Sequence, residues 1–186
     1  MKATPTSLPE VLLIEPDVFG DTRGYFLETW SRERYRALGI ACDFVQDNLS
    51  RSSRGVVRGM HLQNPFPQDK LVSVPLGEVF DVVVDVRVGS PRFGQWVGVT
   101  LSGDNKRQLF IPAGFAHGFC VTSEDVLFAY KCSDTYHPET ELGFVWNDAE
   151  VGITWPVAGT ALSKKDAAYP RLAEIAPERL TRYVGR

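Results

Sequence analysis

Phe80-Asp81-Val82-Val83-Val84-Asp85-Val86-Arg87 is the stretch on which the reading of the fold turns. In an extended backbone successive side chains point to opposite faces, so Val82, Val84 and Val86 share one face while Asp81 and Asp85 share the other. A helix would scatter these residues around its circumference; a β-strand sorts them. Alternating aspartates ordinarily mark a solvated strand face, so Asp81 and Asp85 are expected to meet solvent and are weak functional candidates.

Outward from this segment, short apolar runs recur at residues 11–15, 25–30, 55–63, 70–75, 95–101, 107–112, 125–132 and 142–147, separated by Gly, Pro, Asn and Asp turns. That spacing predicts an all-β sandwich or barrel. Helices are expected only at the periphery. Ser31 is placed to cap a short one ended by Gly39, and Ser163, with Asp166 three residues on, opens another near the C-terminus. No fixed-period repeat, heptad or interdomain linker interrupts the pattern, and 186 residues with 44% hydrophobic content suit a single domain spanning 1–186.

The formal net charge of −3 and the lack of a long basic run exclude broad electrostatic attraction to nucleic acid or a membrane surface. Anion binding would have to be local, with Arg23, Arg51, Arg54, Arg58, Lys70 and Lys165 as the available cations. The run Val11-Leu12-Leu13-Ile14 is too short for a signal-peptide core or a membrane span. Cys42, Cys120 and Cys132 are odd in number, and two lie in apolar strand patterns. Buried thiols are expected rather than a disulfide framework, in a soluble protein of the reducing cytoplasm.

Histidine is scarce, with three in the chain, so its placement is informative. His61 lies in Val56-Val57-Arg58-Gly59-Met60-His61-Leu62-Gln63, and Lys70 follows after a proline-rich turn. His117 lies in Ile111-Pro112-Ala113-Gly114-Phe115-Ala116-His117-Gly118-Phe119. An imidazole accepts protons near neutral pH or ligates a metal, and a neighbouring Arg/Lys pair can hold an anionic substrate. The P-x-G-x-x-H from Pro112 to His117 resembles the second motif of the cupin jelly rolls. Many cupins bind a metal through H-x-H, a carboxylate and a later histidine, because divalent transition metals need several convergent donors. Here that first position reads His61-Leu62-Gln63, which leaves His61 and His117 as the strong ligand candidates. The expectation is a metal-free acid/base site with no cofactor. A metal-dependent cupin oxygenase is a competing class.

A more specific resemblance covers almost the whole chain. Phe19-Gly20-Asp21-Thr22-Arg23-Gly24, Phe44-Val45-Gln46-Asp47-Asn48, Arg58-Gly59-Met60-His61, Gly77 to Arg87, Phe93-Gly94-Gln95-Trp96, Asn105 to Gln108, Ile111 to Phe119, Tyr130-Lys131, Trp146-Asn147-Asp148 and Leu162-Ser163-Lys164-Lys165-Asp166 occur in order. Together they resemble the dTDP-4-dehydrorhamnose 3,5-epimerase family. The resemblance implies a cupin-like jelly-roll β-sandwich that inverts carbons 3 and 5 of a dTDP-4-keto-6-deoxyhexose through enolates, in the route to dTDP-L-rhamnose. It also implies a homodimer with N-terminal strands crossing between subunits. A relative that epimerises carbon 3 alone, or isomerises the ketone, shares the enolisation step and is the nearest alternative; a non-catalytic nucleotide-sugar binding module is a further competing class.

Such chemistry asks for a base on one face of the sugar, an oxyanion stabiliser at O4 and an acid on the other face. By resemblance His61 is the base, Asp166 its orienting carboxylate, Tyr130 the acid and Lys70 the group near the ketone oxygen, with His117 and Asp81 in support. Arg23, Glu28, Gln46, Asp47, Asn48, Arg58, Glu141 and Lys165 match positions that hold the nucleotide, arginines suiting the diphosphate. Phe19, Phe26 and Tyr136 are candidates to line the sugar or stack on thymine, although each residue type is more often core packing. Two features run against the pattern. Strict alternation puts Arg58 and His61 on opposite faces unless Gly59 allows a bulge. Met60 and Leu62 flank His61 where the family more often has Leu and an aromatic, which bears on pocket shape.

Overall fold

The computed structural model of the chain describes residues 1–157 and 161–185. In chain order the strands are β1 (Lys2–Pro5), β2 (Leu12–Glu15), β3 (Val18–Asp21), β4 (Gly24–Leu27), β5 (Gln46–Ser53), β6 (Val57–Gln63) and β7 (Lys70–Leu76). They continue as β8 (Glu78–Asp85), β9 (Trp96–Ser102), β10 (Gln108–Ile111), β11 (Phe115–Val121), β12 (Asp125–Cys132) and β13 (Glu141–Gly143). Two short α-helices, α1 (Arg32–Ala37) and α2 (Lys164–Ala167), lie outside the sheets. One sheet has the order β1-β2-β10-β7-β12-β5 and a second β13-β6-β11-β8-β9, all pairings within them antiparallel. This is the expected cupin-like jelly-roll sandwich.

The main core fills the space between the sheets. Val72, Val74, Leu109, Val126 and Phe128 from the six-stranded sheet meet Val79, Val83, Leu101, Phe115 and Phe119 from the five-stranded one. Strand alternation sends the intervening residues outward, and those faces are covered too. Leu71 and Phe110 pack with Ile14, Ile40 and Tyr35, which anchors α1 to the back of the six-stranded sheet. Tyr35 completes that anchor by donating its hydroxyl to Gln108 Oε1 at 2.6 Å. Behind the five-stranded sheet, Val82, Val84 and Val86 lie under Leu172, Ile175 and Leu180 of the C-terminal segment.

With the valines under that cover, the aspartates share the face of Val83 between the sheets, and their expected solvent exposure is overturned. β8 does sort Val82 and Val84 from Asp81 and Asp85, but both faces of its sheet are covered, and both carboxylates are completely buried. A buried carboxylate must be paired. Asp85 accepts from Arg87 Nη2 at 2.7 Å and from Ser90 Oγ at 2.6 Å, while Asp81 meets His117.

The two predicted helices form, with one difference at each start. Ser31 precedes α1 in extended conformation but its side chain makes no capping hydrogen bond, whereas Ser163 Oγ accepts from the Asp166 N–H at 3.0 Å. Strands β1, β3 and β5 were not expected from the apolar pattern. β5 reads Gln46-Asp47-Asn48-Leu49-Ser50-Arg51-Ser52-Ser53, an edge strand without an apolar stripe. β3 and β4 pair only with each other, and their hairpin exposes Phe19 and Phe26. Neither phenylalanine packs in the core.

Candidate active site

A cleft opens between the two sheets. From the six-stranded sheet it takes Gln46, Asn48 and Ser50 on β5, Lys70 on β7, and Phe128, Tyr130 and Cys132 on β12. From the five-stranded sheet it takes Arg58, His61 and Gln63 on β6, His117 and Phe119 on β11, and Glu141 on β13. Tyr136 and Lys165 close the rim. The inner end is aromatic: Phe119 and Phe128 stack with centroids 4.1 Å apart, and His117 lies against Phe128 at 6.1 Å.

A bulge brings Arg58 and His61 to the same cleft. His117 pairs with His61 and Phe119 with Arg58, so three steps on β6 oppose two on β11. Gly59, at φ +123°, sits at the irregularity, where a Cβ would lie 2.6 Å from Gly118 Cα. Only glycine fits both that backbone and that approach. The alternation conflict is thus resolved in the backbone itself.

His61 Nε2 lies 2.6 Å from Asp166 Oδ1. The carboxylate comes from α2, whose first turn is fixed by Ser163, so capping and pairing use different groups of one residue: the Asp166 N–H serves the cap and its carboxylate serves His61. Burial pushes the Asp166 carboxyl up, but the hydrogen bond and charge of His61, with Ser163 and Lys165, outweigh it and hold the group below the ordinary carboxylate range. It is therefore ionised at neutral pH and accepts Nε2–H, which leaves the Nδ1 lone pair of His61 free to take a proton.

The opposite wall carries Tyr130 and Lys70. Burial raises the Tyr130 phenol, with the Cys132 thiol adding to the shift and Arg58 opposing it, so the hydroxyl keeps its proton at neutral pH. Burial lowers the Lys70 ammonium, against the opposing pull of Cys132, Glu141 and Asp81. Deeper in, His117 Nε2 lies 2.9 Å from Asp81 Oδ2, and burial pushes the Asp81 carboxyl up despite His117 and Lys70. At the rim Glu141 takes Lys165 Nζ at 2.6 Å and the Tyr136 hydroxyl. Burial alone would raise Glu141, but these two partners and His61 hold it below its ordinary value.

Three of the expected nucleotide-site residues lie elsewhere. Asp47 is on the outer face of β5, paired with Lys131 at 2.9 Å. Strand alternation forbids Gln46, Asp47 and Asn48 from facing one cleft together, and Ser50, absent from the expected set, takes the next inward place. Arg23 and Glu28 lie outside the cleft, where Arg23 pairs with Asp21 and Glu28 with Arg34. Arg51 and Arg54, raised as general cations, pair at the surface with Asp125 and Glu124.

The donor set does not fit a cupin metal. Gln63 Nε2 donates to Phe66 O at 2.6 Å and its Oε1 accepts from His137 N at 3.0 Å, while both cleft imidazoles meet carboxylates through Nε2. Among the described residues no group of three or more His, Cys, Asp or Glu is arranged around a common point.

Residues 5–174 match the family model described as dTDP-4-dehydrorhamnose 3,5-epimerase. The chain belongs to that family. The dTDP-4-dehydrorhamnose 3,5-epimerase of Pseudomonas aeruginosa is 56% identical over 168 residues, covering 89% of this chain and 93% of that protein. Among solved structures, the dTDP-6-deoxy-D-glucose-3,5-epimerase of Legionella pneumophila in complex with dTDP-4-keto-L-rhamnose superposes with a TM-score of 0.97 at 53% identity, covering 99% of each chain. A dTDP-4-dehydrorhamnose 3-epimerase of Streptomyces niveus is more distant, 41% identical over 94% of this chain and 85% of its own. Membership of the 3,5-epimerase family and the two-walled cleft point to the same carbon-acid chemistry.

Proposed function

We propose that the chain is a dTDP-4-dehydrorhamnose 3,5-epimerase, an isomerase converting dTDP-4-dehydro-6-deoxy-D-glucose to dTDP-4-dehydro-L-rhamnose. The observation that carries the mechanism is the opposition of the two walls, with His61 backed by Asp166 on one sheet and Tyr130 on the other, across one cleft.

Carbons 3 and 5 both flank the ketone, so loss of either proton gives an enolate with its charge on O4. His61 takes the proton at Nδ1 while Asp166 fixes the ring and balances the imidazolium. The electron pair released from the C–H bond moves into the enolate, and the Lys70 ammonium stabilises the oxygen. Tyr130 then gives its hydroxyl proton to the same carbon from the other face, inverting it; the phenolate recovers a proton from solvent and the His61 imidazolium returns its own to solvent, which restores both groups for the second carbon. Arg58 is assigned to the diphosphate, and Gln46, Asn48, Glu141 and Lys165 to the remainder of the nucleotide. His117 supports the oxygen side of the site.

Arg23 and Glu28 join the nucleotide site in this reading through a homodimer, in which the β3–β4 hairpin of one copy reaches the cleft of the other. The exposure of Phe19 and Phe26 supports it, since bulky apolar side chains on a two-stranded hairpin gain from being covered. The three cysteines are free, which suits the cytoplasm, and among the described residues no helix is long and apolar enough to cross a membrane. We treat residues 1–186 as one domain.

Incubation with dTDP-4-keto-6-deoxyglucose in deuterated water, followed by NMR, tests the reading. Deuterium and inversion at both carbons are expected. Label at carbon 3 alone would move the chain to the 3-epimerases, and bound nucleotide-sugar with no label at either carbon would make it a binding module.

A further inference from the structure

His61 is held at its far end by Asp166, and that contact leaves one freedom open. A single hydrogen bond at Nε2 fixes the tip of the imidazole, but the ring can still turn about the line from Cβ to Nε2, and such a turn swings Nδ1 away from the substrate. The terminal torsion of histidine is intrinsically broad, so it does not prevent this. A contact against the ring itself is needed, and the segment after α2 supplies one.

Tyr169 lies just beyond α2, with its ring 5.8 Å from the His61 ring, centroid to centroid, at an interplanar angle of 68°. This edge-on arrangement is a favoured aromatic geometry. A slot receives the phenol ring. Gly143, paired with His61 in the β13–β6 register, has no side chain there, and a Cβ would come within 2.8 Å of Tyr169 Cε2 and 2.2 Å of Met60 O. The Tyr169 hydroxyl lies 3.4 Å from Glu141 Oε1, the same oxygen that accepts Lys165 Nζ. Lys165 directly precedes Asp166, so the contact on the ring and the contact on Nε2 are tied to one another through Glu141.

We infer that Tyr169 is a positioning residue for His61: its ring, seated over Gly143, blocks rotation of the imidazole and keeps Nδ1 directed at the carbon to be deprotonated. The inference rests on the reading of His61 as the base. The phenol hydroxyl moves no proton in the reaction, and the packing of the ring over Gly143 is what seats it.

Tyr169→Leu and Tyr169→Phe separate this role from a merely structural one. In Tyr169→Leu, kcat and the rate of C–H exchange should fall about tenfold while KM and dTDP affinity stay within about twofold, since loss of orientation penalises the chemical step rather than binding. Tyr169→Phe keeps the ring and should restore both rates. His61 ring-proton shifts, readily assigned in a chain with three histidines, should lose their ring-current contribution in the leucine variant and retain it in the phenylalanine variant. If the leucine variant does not fold, Tyr169→Met refills the slot with a flexible chain and carries the same expectations. Wild-type turnover without the ring, a raised KM at unchanged kcat, or identical His61 shifts in all variants would overturn the inference. His61→Asn, run alongside, keeps the two readings apart: exchange surviving in that variant removes the base and the catalytic consequence with it, while the shifts still decide whether Tyr169 holds the ring.

Discussion

His61 and His117 face each other across one rung of the β6–β11 ladder, and each meets one buried carboxylate, yet their surroundings give them opposite characters. The His61 side chain is 27% exposed at the cleft, and its partner Asp166 arrives on a separate helix. The His117 side chain is 9% exposed, wedged against Phe119 and Phe128, and its partner Asp81 lies on β8, the adjacent strand of the same sheet. Asp166 is held below the ordinary carboxylate range because its partners outweigh burial; Asp81 is pushed above it because burial outweighs its partners. The same two residue types therefore give a proton acceptor with access to substrate in one place and a fixed polar support in the other. Accessibility and the origin of the carboxylate make the difference.

The harshest test of that contrast is His61→Asn. It keeps a polar side chain but removes the base, so exchange of the C3 and C5 protons in deuterated water should fall by up to about 10⁴-fold, with dTDP binding retained. Near-native exchange would place the base elsewhere, and His117 would become the first candidate. Tyr130→Phe probes the opposite wall. Label should still enter the substrate because His61 can remove and return a proton on its own face, while inverted product should fall by about 10²-fold. Inversion at the wild-type rate in this variant rules out Tyr130 as the acid.

The strand pattern around Val82, Val83 and Val84 made the sandwich legible, and the run of ordered motifs made the family legible. The environment of Asp81 and Asp85 was not legible, because they share the face of Val83, which looks into the space between the sheets, and only the tertiary pairing of the two sheets shows that this face, rather than that of Val82 and Val84, is the inner one. β5 hid for a related reason: an edge strand with one face in a polar cleft and the other in solvent has no apolar stripe to betray it. Once it is recognised as a strand, period two alone would have moved Asp47 outward and Ser50 inward. Tyr169 carried no local signal, since its role depends on a slot at Gly143 and an imidazole on β6. Arg23 and Glu28 lie on a hairpin whose place in the site, as proposed, belongs to a second copy.

Replacing each carboxylate in turn sharpens the comparison. Asp166→Asn preserves the backbone N–H that Ser163 accepts, so the helix start should persist while turnover falls about 10- to 10²-fold, less than with loss of the base itself. The two carboxylates should also act with opposite sign on stability. Asp166, depressed, contributes stability that is complete above the ordinary value of 3.8 and is lost as the pH falls through its folded value. Asp81, raised, bears a penalty on its ionised form at neutral pH, and that penalty is relieved as the pH falls through a value above 3.8. Denaturation of both Asn variants against the native chain should therefore show the Asp166 gap closing on acidification and the Asp81 gap moving in favour of the native residue. Parallel pH profiles would contradict the assignment of different characters to the two pairs.

The smallest expected effect comes from exhaustive chelation, and it tests the premise that the two imidazoles are separate devices. In a metal cupin they would share one ion, and the contrast between them would vanish. A metal needs several convergent free donors. Here Nε2 of each imidazole lies against its own carboxylate, and the amide standing at the second position of H-x-H is committed to Phe66 and His137. Recruiting both histidines to one ion would require breaking these bonds and turning at least one ring. Turnover measured after chelation, with metal content determined on the same sample, should change by less than about twofold. Loss of turnover that returns on adding one stoichiometric metal would merge the two pairs into a single centre and transfer the proton chemistry from His61 to a metal-bound group.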